Sequence, residues 1–430
     1  MKRPFKAYDP DQSFLFPPSP HDWLPEGHLA WFLSDCVEQL DLDAYLKHYR
    51  PGGKGSLAYQ PRMMLKVLIY AYCVGVFSSR KIARQLEENI AFKVLSGGQL
   101  PNHRTICRFR EEFLELFENT FVQVIQIAQE NGLVKMGTLA IDGSKVKANA
   151  SKHKAMSYGR MQDEERRLRQ EIRALRDRAR GEDSEEDTHF GPDFRGDELP
   201  KELARREERW QTIHATRMRL EERKAREAQE EGEPSKERSE PPKPEPKDQA
   251  NFTDPESRIM KTSSGGFEQC YNTQIAVEEH GQLIVAAQVT QSPTDSKTLL
   301  STVDRAVDHT DQVPCRVLAD AGYRSEDNFL DLEERGITGY IALGREGKKL
   351  PTQRSRAQAT ARMRRRLQRK HGRQTYKKRK HIVEPVFGWI KQVLGFRAFS
   401  VRGFAKVTGE WFLVCLAVNL KRMSGLMAAT

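Results

Sequence analysis

The stretch MGTLAIDGSKVKANAS, residues 136–151, decides how the rest of the chain is read. Leu139, Ile141 and Val146 give it the apolar spacing of a strand, and Asp142-Gly143 interrupts it with a polar break. A second short apolar run, CRVLADAGYRS (315–325), ends on Asp320 and is followed by Ala321 and Gly322. Between the two, EQCYNTQIAVEE (268–279) and GQLIVAAQVTQ (281–291) read as strands joined by a tight turn near His280-Gly281. A helix is expected to begin at Asp295 with SKTLLSTVDRAVDH, another over 326–335, and a last strand at ITGYIAL (337–343).

The order is therefore three strands, helix, strand, helix, strand, a basic segment and a helix. Three opening strands can form an antiparallel meander, and the later ones join by crossover connections. That is the order of a ribonuclease-H-like α/β fold. In such a sheet, an Asp at the C-terminal end of a strand lies where ligands bind. Two converging carboxylates repel each other unless a cation shares them. Their hard oxygens suit Mg²⁺ or Mn²⁺, and a third acid from a helix would complete a two-metal centre for in-line attack at phosphorus. Asp142 and Asp320 are the candidates from strands, although Asp-Gly and Asp-Ala-Gly are also ordinary turn sequences.

The candidate from a helix is Glu384, in HIVEPVFGWIKQVLGF (381–396). Proline is tolerated only in a helix's first turn, so Pro385 places the helix start near His381, with Glu384 in the first turns. Lys391 lies seven residues on, on the same face, within reach of a phosphate beside the metals.

Upstream of this core, residues 22–130 read as helical. PRMMLKVLIYAYCVG (61–75) is apolar nearly all round and should be buried. Ser78 and Ser79 offer caps for one helix, RKIARQLEENIAFKVL, ended by Gly97 and Gly98, and Asn102 caps a longer one reaching Gly132. The shorter elements could form a helix-turn-helix with Arg104, Thr105, Arg108 and Arg110 facing DNA. Residues 160–232 change to Arg, Lys and Glu, with Met161, Leu168, Ile172 and Leu175, then Leu203, Trp210, Ile213 and Leu220, at heptad-like spacing. Two helices in an antiparallel hairpin, followed by a Pro-rich disordered linker over 231–249, are expected as an insertion into the α/β domain. The hairpin could serve dimerisation, DNA docking, or merely as a spacer.

Net charge of the 430 residues is +11. From Arg354 to Lys380 there are 13 Lys or Arg and no acid, so the positive charge is concentrated and a polyanionic partner is indicated. Six cysteines without a C-x-x-C pair read as reduced thiols of a cytoplasmic protein, not as a zinc site or disulfide framework. The longest apolar stretch, Trp411 to Leu420, is too short for a bilayer and reads as a core helix.

LAIDGSKVKANAS, VLADAGYRSEDN and YKKRKHIVEPVFGWIKQVLGFR resemble the three acidic regions of bacterial insertion-sequence transposases of the DDE class. The helical segments AYQPRMMLKVLIYAYCVGVFSSRKIARQLEENIAFKVLSGG and PNHRTICRFREEF resemble the domain that precedes that core. The resemblance implies a metal-binding triad of Asp142, Asp320 and Glu384. It implies DNA contacts by Tyr323, Tyr376, Arg379 or Lys380, and Lys391. Related groups space Y-x-x-R-x-x-x-E. Here Tyr376-x-x-Arg379 fits, Arg379 stands one residue too far from Glu384, and Lys380 has the right spacing.

The organisation implied is a helical DNA-binding domain (1–132), a discontinuous catalytic domain (133–155 and 255–428) and the charged helical insertion (156–254). The activity implied is metal-dependent cleavage and strand transfer on DNA, at inverted-repeat ends and target, by a homodimer or higher assembly. A metal-dependent nuclease that joins no strands, and a DNA-binding protein derived from a transposase, are the alternatives.

Overall fold

The computed structural model describes residue 19 and residues 22–49, 57–190, 201–230, 242–262, 265–344 and 358–428. Residues 231–241 of the linker, and Arg354 and Arg356 of the basic run, lie outside these described residues.

Seven helices come first: α1 (Leu29–Glu38), α2 (Asp43–Lys47), α3 (Pro61–Cys73), α4 (Ser79–Glu88), α5 (Ile90–Ser96), α6 (His103–Glu112) and α7 (Phe117–Glu130). The single helix expected after Ser78 is two. Asn89 leaves the helical conformation and caps α5, its Oδ1 accepting from the Ala91 amide at 2.9 Å. The long helix capped by Asn102 is likewise broken by a 3₁₀ turn at Leu114–Leu116. Helix α3 is buried as its composition demands.

The chain continues through β1 (Thr138–Lys147), β2 (Ala155–Ser157), α8 (Tyr158–Phe190), α9 (Lys201–Glu230), β3 (Gln249–Asn251), β4 (Arg258–Lys261), β5 (Phe267–Glu278) and β6 (Ile284–Thr290). Then follow α10 (Leu299–Thr310), β7 (Arg316–Ala319), α11 (Glu326–Glu334), β8 (Thr338–Ile341), α12 (Gln358–Gln368), α13 (Lys370–Gly388) and α14 (Phe404–Met427).

The main sheet runs β4-β5-β1-β7-β8, with β6 also on β5. β1, β5 and β6 form the antiparallel part, and β7 and β8 extend it in parallel. This mixed sheet with helices is consistent with the expected ribonuclease-H-like arrangement. Helix α14 is buried on all sides from Trp411 to Leu420, so the core helix expected there is present. It packs on α7, α3 and β6, and one continuous apolar core joins the N-terminal helices to the sheet.

α8 and α9 form the expected hairpin, closed by Met161, Leu168, Ile213 and Leu220 in a separate apolar cluster. Two local readings need correction. β1 runs unbroken through Asp142-Gly143, so Asp142 is mid-strand, not at a strand end. Helix α13 begins at Lys370 rather than near His381, taking up much of the basic segment and carrying Pro385 in its interior. Pro385 cannot bond the His381 carbonyl four residues back, and the Gln282 side chain donates to that oxygen instead at 2.7 Å. A π-helical turn, Trp389–Val393, continues the element.

Candidate active site

β1 and β7 are parallel neighbours with Ile141 opposite Ala319, so the next position on each strand brings Asp142 beside Asp320. Asp320 follows β7 directly and folds back on itself, its Oδ1 accepting from the Gly322 amide at 2.8 Å. Alternation along β1 puts Asp142 and Ser144 on one face and Gly143 and Lys145 on the other.

The first face meets α13. Arg379 donates through Nη1 to Asp142 Oδ2 at 3.1 Å, and its Nη2 lies 3.5 Å from Glu384 Oε1, so one guanidinium bridges both acids. Arg379 is 8% exposed and its Nε is buried without a hydrogen-bond partner, whereas Lys380 is exposed. Tyr376 is half-buried and bonded to Arg379. Lys391 Nζ donates to Ser144 Oγ on the Asp142 face.

Burial pushes the Asp142 carboxyl up to about 6; the Arg379 charge pulls it down and the Asp320 charge pushes it further up. Burial opposes the Arg379 charge most strongly, but Asp142, Tyr376 and Asp320 together outweigh it and hold the guanidinium above its ordinary value. Lys391 is lowered by burial, with Asp142 pulling the other way.

The second face carries a network the sequence reading missed. The Gln274 amide lies flat over Gly143, where any β-carbon would meet Gln274 Cδ at 2.9 Å. Gln274 Nε2 donates to Asp295 Oδ1 at 2.8 Å, and Gln274 Oε1 accepts from the Tyr323 hydroxyl. Asp295 Oδ1 also takes Asn272 Nδ2 at 2.6 Å and Lys145 Nζ at 3.1 Å. A β-carbon on Gly322 would stand 2.9 Å from Asp320 Oδ1 and 3.2 Å from Asp295 Oδ2, so these two carboxylates converge. Asp295 does not begin a helix as expected; α10 starts at Leu299 and leaves the Asp295 carboxylate free to turn inward. Burial raises Tyr323, and the charges of Asp295, Asp142 and Asp320 add to it. The signal for this network was the polar run Asn272-Thr273-Gln274 inside an otherwise apolar strand.

Tyr323 is fully buried, so it offers DNA no surface; it braces the acids from below. Arg110 is also 5% exposed, donating to the Phe77 carbonyl at 2.8 Å and the Tyr72 hydroxyl at 3.4 Å, and does not face DNA. Arg104 and Arg108 are exposed on α6.

Asp142 and Asp320 offer hard oxygen donors whose mutual repulsion a divalent cation would relieve, so this pair fits such an ion. Glu384 is half-exposed and engaged by Arg379. Among the described residues, no three of His, Cys, Asp and Glu gather closely enough to hold a metal ion. No helix among them is long and apolar enough to cross a membrane.

Two family models match the chain. A transposase DDE domain matches residues 213–420, which include Asp320, Glu384 and all of α13, and a transposase domain (DUF772) matches residues 18–112. β1 with Asp142 lies outside both stretches. No curated protein and no solved structure matches. The two matches flank β1 in chain order, one on the leading helices and one on the later strands and α13. The chain belongs to the insertion-sequence transposases of the DDE class.

Proposed function

We propose that this chain is a DNA transposase that binds the inverted-repeat ends of a mobile element, cuts phosphodiester bonds there and joins the freed strand to target DNA. The observation that carries the reading is the convergence of Asp142 and Asp320 on adjacent parallel strands, with Arg379 and Glu384 presented to the same face by α13 and Lys391 by the π-helical turn that continues it.

Asp142 and Asp320 would hold Mg²⁺ or Mn²⁺, with Glu384 as the third candidate ligand. Such ions, when bound, stabilise the attacking and leaving oxygens of an in-line displacement. Arg379 and Lys391 are the cations nearest the acids, placed to receive a non-bridging phosphate oxygen. Arg379 rather than Lys380 is the better candidate for the basic position, since it reaches both acids. Tyr376 holds Arg379 in place, and Arg104 and Arg108 contact the DNA backbone further away. Paired ends require two copies, so a dimer or higher assembly on DNA follows.

The test is a cleavage and strand-transfer assay with the full chain, Mg²⁺ and DNA carrying the sequences that flank its gene. Cut ends joined to a target plasmid support the proposal. Cutting without joining assigns a nuclease, and binding without cutting a DNA-binding protein derived from a transposase.

A further inference from the structure

Helix α9 does more than close the hairpin on α8. Arg219, Arg223 and Arg226, spaced four and three residues apart, share one face of it. They line a cleft of about 630 Å³ whose opposite wall carries Arg258 from β4 and Arg402 from the loop before α14.

Three of the four acids lining the cleft are engaged. Asp254 accepts from the Tyr271 hydroxyl at 2.9 Å, Glu256 from the Phe404 amide at 2.8 Å, and Glu227 is shared by Arg223 at 3.5 Å and Lys224 at 3.2 Å, while Glu222 is exposed at the rim. The arginines keep unspent donors. Arg223 Nε is buried 3.5 Å from Glu227 Oε1 and makes no hydrogen bond there. Arg258 donates to the carbonyls of Pro255, Glu256 and Ser257 and to Gln291, which are neutral acceptors. Burial and then the facing charge of Arg223 lower Arg258 to about 10, against the opposing charges of Glu227, Tyr271 and Glu256. Two guanidiniums facing each other across a polar cleft are the arrangement an anion relieves.

Arg402 also fixes where the cleft lies. Its Nε donates at 3.0 Å to the carbonyl of Asn149, just past the end of β1, the strand that carries Asp142. Seven residues of extended chain span at most roughly 23 Å, about seven base pairs of duplex at 3.4 Å each.

We propose that this cleft seats a backbone phosphate of the same DNA duplex that occupies the active site, within about seven base pairs of the reacting bond; the proposal rests on the DNA-transposase reading above. The hairpin is then a second grip on the duplex, which explains why an inserted, otherwise solvated element presents its arginine face to the core.

The test uses full-length protein and a labelled 40-base-pair duplex, with binding followed by anisotropy across a salt series. Arg219→Glu with Arg226→Glu, both exposed and so harmless to folding, is compared with Arg166→Glu with Arg173→Glu on the solvent face of α8. The cleft pair should weaken binding at least tenfold and shrink the slope of log K against log salt by about two, with the α8 pair near wild type. Equal effects of the two pairs, or none from either, overturn the proposal while wild-type binding stands. So does pyrophosphate raising the melting temperature through Arg219 and Arg226 while the duplex slope is unchanged. A wild-type protein that does not bind the duplex at all overturns the DNA reading itself.

Discussion

Replacing Gly143 with alanine puts a methyl group where the Gln274 amide lies, with Cδ at 2.9 Å and Oε1 at 3.0 Å. Gln274 is fully buried and has no open side to move into. Staying put costs about 1–3 kcal/mol in overpacking. Moving breaks its bonds to Asp295 and Tyr323 and leaves buried groups unpaired, at about 1–3 kcal/mol each. The loss should be about 3 kcal/mol, read as a lower urea midpoint at unchanged slope. DNA cleavage should fall as well, because Tyr323 and Asp295 stand against Asp320. The same substitution in a Gln274→Ala background meets no amide, so its cost should drop below about 1 kcal/mol. Equal costs in the two backgrounds, within about 0.5 kcal/mol, would refute the reasoning.

Asp142 gives a pH signature. Its carboxyl is pushed from the ordinary 3.8 to about 6 in the folded protein. The stabilisation this represents is fully present below pH 4 and lost as pH rises through 6, about 3 kcal/mol in all. In chelator, Asp142→Asn should therefore gain on wild type between pH 4 and pH 8, and parallel stability curves would contradict this. Glu410 is fully buried and accepts from Tyr72 Oη, the Ser400 amide and the Ser400 hydroxyl, tying α14 to α3. Glu410→Ala should cost about 3–5 kcal/mol by chemical denaturation, with Glu410→Gln milder; a cost under about 1 kcal/mol would show that the core does not depend on it.

The strand order, the hairpin heptads and the placement of Asp320 after its strand were legible because they follow from local apolar spacing. What was not legible depended on contacts between distant segments. Asp142-Gly143 has turn chemistry, yet the strand runs straight through it, since Gly143 makes room for a side chain from β5. Pro385 has the chemistry of a helix start, yet α13 continues past it because Gln282, far away in sequence, satisfies the carbonyl that Pro385 leaves open. Asp295 belongs to no motif, and only the folded sheet brings its carboxylate to Asp320. Of the proposed DNA contacts, Arg110 and Tyr323 were misjudged because an arginine and a tyrosine buried by polar partners look, in sequence, like exposed ones.

The account stands most directly on Asp142, which neither family match covers. Full-length Asp142→Asn, assayed with Mg²⁺ on end DNA beside wild type, should bind that DNA with nearly unchanged affinity and cut no strand. Wild-type cleavage by this variant would contradict the assignment of Asp142 to the catalytic centre.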